Sequence, residues 1–164
     1  DKLSVLLATV FGIGYVPKAP GTAASLVTLP LAGWLAGFGF IPYLIVTAIA
    51  ALVSVPICGR AEKSFGRKDP NCIVLDEVVG MLLAFAPFSL IHVSSGLIYI
   101  SVITVSFAWF RFFDIKKPFF VNRLQEIHGG AGIVLDDIGA GVLAGIASVA
   151  CFGAGQHLFA FVSG

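Results

Sequence analysis

Apolar positions in this chain come in long unbroken runs, not at intervals of two or of three to four. No Asp, Glu, Lys or Arg occurs from Ala19 to Gly59, from Val78 to Phe110, or from Ile138 to Gly164, stretches of 41, 33 and 27 residues. A helix crossing the hydrocarbon needs about 20 residues, with a range of roughly 17–25. The three stretches therefore predict five spans, near residues 22–40, 42–58, 77–92, 97–113 and 138–160. Turns are expected at "GFGFIP" (37–42) and "HVSSG" (92–96). A membrane barrel would alternate apolar and polar side chains, whereas these runs are apolar all round. The opening "KLSVLLATVFGIG" (2–14) is short for a crossing and reads as an interfacial or partly inserted helix. The predicted fold class is all-α: a polytopic membrane helix bundle of about five transmembrane helices plus the N-terminal interfacial helix, in one domain over 1–164.

Composition supports the membrane reading, with 58% hydrophobic and only 12% charged residues and a mean hydropathy of +1.00. Soluble domains carry roughly 25% charged residues. Lys18, then Arg60, Lys63, Arg67 and Lys68, then Arg111, Lys116, Lys117 and Arg123 occupy segments that alternating spans place on one side, and the opposite turns carry no Lys or Arg. Positive charge favours the cytoplasm, so the charged face is expected there. The bilayer is the expected partner and nucleic acid is not; no oligomeric state is legible. Cys58, Cys72 and Cys151 form no C-x-x-C pair and suggest neither a disulfide framework nor a zinc site. In "GAGVLAGIAS" (139–148), Gly141 and Gly145 lie one turn apart, a pattern that permits close helix contact.

The remaining charges are acidic and sit at the edges of the spans. "IVLDEVVGMLLAFAPF" (73–88) places Asp76 and Glu77 at the start of an apolar run, and "VLDDIGAG" (134–141) repeats the arrangement with Asp136 and Asp137. A helix dipole accounts for such pairs at about 0.3–1 kcal/mol each. It does not account for Asp114 in "RFFDIKKP" (111–118), which falls at the C-terminal end of the fourth span, where negative charge is disfavoured. Packing of the last three spans would bring five carboxylates to one rim. Crowded carboxylates raise one another's pKa unless a cation neutralises them, and hard oxygen ligands suit Mg²⁺ or Mn²⁺. Lys18, Arg60, Arg111, Lys116 and Lys117 adjoin the same interface and suit phosphate oxygens. "GIGYVPKAPGTAAS" (12–25), which includes Thr22, and "HGGAGI" (128–133) offer unhindered backbone N–H groups, and His128 is the candidate proton carrier. The same carboxylates would serve a small transporter or a metal-binding membrane protein, the alternative class, although transport calls for ionisable groups near the bilayer midplane.

"GYVPKAPGTAAS", "DPNCIVLDEVVG" (69–80), "RFFDIKKP" and "GGAGIVLDD" (129–137) together resemble the phosphatidylglycerophosphatase A family of bacterial membrane lipid phosphatases, in the same order from about Gly12 to Gly141. The resemblance implies hydrolysis of phosphatidylglycerophosphate to phosphatidylglycerol and phosphate, dependent on Mg²⁺, at the cytoplasmic side of the inner membrane. The combined reading assigns Asp76, Glu77, Asp136 and Asp137 to one or two Mg²⁺, with Asp114 as further ligand or general base and Glu62 as a further ligand. Lys18, Arg60, Arg111, Lys116 and Thr22 are assigned to substrate, and Asp69 before Pro70 reads as a turn start. Water and a carboxylate both remain open as nucleophile.

Overall fold

The computed structural model describes residues 1–91, 95–118, 121, 124, 127 and 129–163, with side chains as far as Gly153 in the last helix. Among the described residues there are six α-helices and no strand: α1 (Lys2–Ala8), α2 (Pro20–Ala36), α3 (Phe40–Phe65), α4 (Leu75–Phe85), α5 (Gly96–Lys116) and α6 (Gly130–Ser163). Short 3₁₀ turns occur at Ile13–Tyr15 and Ala86–Leu90.

Among the described residues, three helices are long and apolar enough to cross a membrane: α3, α5 and the Gly130–Gly153 part of α6. The sequence reading expected about five. With 17 residues α2 is at the lower limit for a crossing, and α4 has only 11. The cause in α4 is Pro87, which has no N–H to continue the helical ladder. Ahead of it the Ala86 N–H tightens onto the Leu83 carbonyl, and the chain goes on as a 3₁₀ turn. The Leu82 carbonyl accepts instead from the buried Tyr43 hydroxyl of α3, at 2.7 Å. In a medium without water such a substitute partner is required.

The short α4 occupies the middle of the bundle, packed by α2, α3, α5 and α6. Val79, Met81, Leu82, Ala84 and Phe85 are all buried. Around it, α3 and α5 turn large apolar side chains outward, among them Ile45, Leu52, Leu97 and Ile100. That inverts a soluble protein's pattern and fits lipid as the surrounding medium. Close approach of α4 and α6 rests on glycine. A side chain at Gly141 would run into the Gly80 carbonyl, and one at Gly80 would meet the Phe110 ring and the Asp137 carbonyl. Gly145 lies against Pro87 and the Leu83 carbonyl, so Gly141 and Gly145 of the "GAGVLAGIAS" stretch both serve packing.

The N-terminal helix covers residues 2–8 only, ending where Val10, Phe11 and Gly12 take left-handed φ angles. It packs on α3, burying Ala8 with Cys58, Ala61, Ile73 and Ile133, while Leu3, Leu6 and Phe11 stay exposed. One apolar face in and one out is what an interfacial helix presents. The Val74 N–H donates to the Ala8 carbonyl at 2.9 Å, tying this segment to the start of α4. The expected turn at 92–96 lies in part outside the described residues, since 92–94 are not among them.

Candidate active site

The starts of α2, α4 and α6 meet the end of α5 around a cavity of about 350 Å³. Its wall carries six carboxylates, Asp69, Asp76, Glu77, Asp114, Asp136 and Asp137, and two cations, Arg111 and Lys117. Ala19, Pro20 and Gly21 close it on the α2 side. The five acidic residues predicted to share a rim do share this cavity.

Each arrives by a different local route. Asp76 and Glu77 occupy the first turn of α4, where the dipole favours them. Asp136 and Asp137 were expected immediately before the last span, but α6 begins at Gly130 and carries no acid in its first turn. The dipole account therefore does not hold for this pair. They are 4% and 3% exposed, inside the helix and against α4 and α5, so their own environment must hold them. Asp114 is in the last turn of α5, and the helix end disfavours it as expected; Arg111 one turn earlier compensates with an ion pair at 2.8 Å.

The cations sort the carboxylates into two groups. One Arg111 nitrogen reaches both Asp114 and, at 3.1 Å, Glu77. Lys117 donates to Asp136 at 2.6 Å, and the other Asp136 oxygen accepts the Asp137 amide N–H. Asp76 and Asp137 pair with neither cation, and each has one buried carboxylate oxygen that has no hydrogen-bond partner. Arg111 likewise keeps a buried Nε–H without an acceptor. Unpaired buried charge is costly, so such atoms call for a proton, an ion or a ligand.

Titration follows from the same crowding. Burial, then the charges of Glu77, Asp136 and Asp69, push Asp76 well above the ordinary carboxylate range. Burial raises Glu77 to about 7, although the Arg111 charge pulls it down. Burial lowers the Lys117 ammonium, but the hydrogen bond and charge of Asp136 outweigh that and raise it overall.

Other predicted site residues fall elsewhere. Lys18, Arg60 and Lys116 are exposed and do not line the cavity, and Thr22 is next to the lining residue Gly21 without lining it. Glu62 faces a separate cleft with Lys63, Arg67 and Lys68, and its carboxylate accepts the Asp69 amide N–H at 3.0 Å. His128 lies outside the described residues. The sequence reading underrated two residues on the wall. Asp69 was read as a turn start, yet it lines the cavity with Asn71. Lys117 was passed over for Lys116; a left-handed φ of 40° at Lys117, just past the end of α5 and before Pro118, turns its side chain inward to Asp136. No signal short of that backbone reversal separates the two lysines.

Among the described residues no three His, Cys, Asp or Glu side chains stand as a ready metal-binding group. Mg²⁺, however, is usually held by only one or two carboxylates, with waters and substrate oxygens completing its shell. The two orphaned oxygens of Asp76 and Asp137 fit that requirement.

Residues 6–152 match the family model described as Phosphatidylglycerophosphatase A. An Escherichia coli K12 protein named phosphatidylglycerophosphatase A is 34% identical over 145 residues, 84% of this chain and 77% of its own length. One of the same name from Haemophilus influenzae is 36% identical over 141 residues, 85% of this chain and 82% of its own length. A Bacteroides thetaiotaomicron protein provisionally named a phosphatidylinositol-3-phosphatase is 35% identical over 147 residues, 85% of this chain and 87% of its own. No solved structure is significantly similar to the chain.

Proposed function

The chain belongs to the phosphatidylglycerophosphatase A family, and on that premise we propose that it hydrolyses phosphatidylglycerophosphate to phosphatidylglycerol and phosphate, with Mg²⁺ as cofactor, at the cytoplasmic face of a bacterial inner membrane. The observation that carries the reading is the convergence of Asp76, Arg111, Asp114 and Asp137, from three helices, on one cavity at the charged end of the bundle.

Electrostatics argues for the metal. Six carboxylates against two cations leave an excess of four negative charges when all are ionised, a field that repels a phosphate monoester. Asp76 and Asp137 would hold the ion. When bound it would neutralise the monoester and lower the pKa of an attacking water.

The chain's own groups complete the chemistry. Arg111, braced between Glu77 and Asp114 on the cavity wall, would offer its guanidinium to phosphate oxygens, a charge-assisted contact. Lys117, held by Asp136, supplies the second positive charge. Glu77, with its pKa near 7, is suited to pass a proton from its carboxyl oxygen to the departing glycerol oxygen. The acyl chains stay in lipid beside the apolar flanks of α3 and α5.

The test is phosphate release by the purified protein in mixed micelles, with phosphatidylglycerophosphate and phosphatidylinositol 3-phosphate compared, each with Mg²⁺ and with chelator. The expected result is release from the first lipid, lost on chelation and restored by Mg²⁺. Release from neither lipid rejects the phosphatase reading. Preference for the inositide moves the headgroup assignment toward that of the Bacteroides relative's name. Turnover that ignores chelator removes Mg²⁺ from the mechanism.

A further inference from the structure

We propose that Glu62 is a positioning residue: its carboxylate accepts the Asp69 amide N–H and so holds Asp69 on the cavity wall. The activity arm of this proposal rests on the lipid-phosphatase reading, and its hydrogen-exchange arm does not.

The connection from α3 to α4 has to bring the chain back across the charged end within a few residues. Gly66 closes α3 with a left-handed φ of 65°, its N–H bonded to the Glu62 and Lys63 carbonyls. Three residues later Asp69 adopts a φ of 44°. That region is sparsely populated for a residue with a Cβ, and a following proline disfavours it further. A conformation of this kind persists only when its surroundings over-determine it.

Downstream, the chain is tied by Ile73 N–H to the Pro70 carbonyl at 2.8 Å and by Val74 N–H to the Ala8 carbonyl at 2.9 Å. Pro70 itself is fully buried. Upstream, the Glu62 contact to the Asp69 amide spans seven residues and links the loop to the last turns of α3. Glu62 does not line the cavity, whereas Asp69 does. Glu62 thus acts through Asp69, and the charge of Asp69 is among those that Asp76 feels. This separates it from a metal ligand: a ligand needs the anionic oxygen, while a positioning acceptor needs only an oxygen lone pair, which glutamine also supplies.

The experiment compares Glu62→Gln, Glu62→Ala, Asp69→Asn and the Glu62→Ala/Asp69→Asn double variant. It measures kcat and KM for lipid phosphate release, and hydrogen exchange at the Asp69 amide in detergent. Glu62→Ala is expected to lower kcat about tenfold and to speed exchange at that amide by about tenfold or more, the scale of one hydrogen bond to a charged group. Glu62→Gln is expected to stay within about threefold of wild type on both readouts. The double variant should be no slower than Asp69→Asn alone, since both changes act on one element. A Glu62→Gln enzyme as slow as Glu62→Ala overturns the proposal, because charge and not the acceptor would then matter. Unchanged exchange at the Asp69 amide in Glu62→Ala overturns it as well, and does so even if wild type proves to have no lipid phosphatase activity.

Discussion

Two cavities of similar size occupy opposite halves of this bundle, and α4 and α6 wall both. One, of about 350 Å³, is ringed by carboxylates at the charged end of the bundle. The other, of about 420 Å³, lies between Phe40, Leu44, Leu83, Pro87, Leu90 and Val149 and is almost wholly apolar. Volume does not distinguish them; unsatisfied chemistry does. In the first, buried oxygens of Asp76 and Asp137 have no partner, a costly state that calls for a proton, an ion or a ligand. Nothing in the second demands one, because lipid chains satisfy an apolar wall.

The contrast is broken most directly by removing charge from one half and volume from the other. Asp76→Asn and Asp137→Asn should each reduce lipid phosphate release by about a hundredfold or more, as expected when an electrostatic anchor of the reacting group is lost. Leu90→Ala or Val149→Ala, on the wall of the apolar cavity, should stay within about threefold. Equal losses from the two sets would mean that activity tracks bundle integrity and not the polar cavity.

Between the halves lies the glycine crossing. Gly141→Val drives methyl groups into the Gly80 carbonyl and should destabilise the protein by about 1–3 kcal/mol, read as a fall in thermal midpoint in detergent. Gly153→Ala, with nothing within 4 Å of the added carbon, should be neutral or gain up to about 1 kcal/mol from helix propensity. Similar midpoints for the two variants would show that α4 and α6 do not meet closely there.

The smallest expected effect is a pH dependence confined to the polar half. Glu77 holds its proton up to about pH 7 in the folded chain, against 4.5 as its ordinary value, so between those values the folded state binds a proton that the unfolded chain has released. Its contribution to stability is complete below about pH 4.5 and is lost as pH rises through 7. The thermal midpoint in chelator should therefore fall between pH 5 and pH 7.5, and Glu77→Gln should make that fall shallower. An identical slope in the variant would place the titrating group elsewhere. Leu90→Ala should leave the slope unchanged.

Much of this was legible in advance because charge is so scarce. Gaps free of Asp, Glu, Lys and Arg located every apolar helix to within a few residues at most ends. The same logic failed at α6, where charge was taken to mark the edge of a span. Asp136 and Asp137 are buried against α4 and α5, so the helix runs through them and starts at Gly130. It also did not foresee that α4 would end after 11 residues, ahead of Pro87, and continue as a 3₁₀ turn. For the candidate site, residue type found the carboxylates, and Asp114 was flagged by its conflict with the helix dipole. Asp69 and Lys117 stayed hidden because left-handed backbone angles aim them, and no local spacing encodes that.

The contact between Gly80 and Gly141 has one more consequence. Each glycine follows a cavity aspartate, Asp76 or Asp137, by four residues, and therefore lies on the same helix face one turn further along. Peptide group against peptide group, the two rods act as a ruler, so the gap between the two acids is graduated by main chain and not by pliable side chains. The proposed ion would meet a gauge with little give there, a condition that would favour a small, strictly octahedral guest over a larger, more accommodating one.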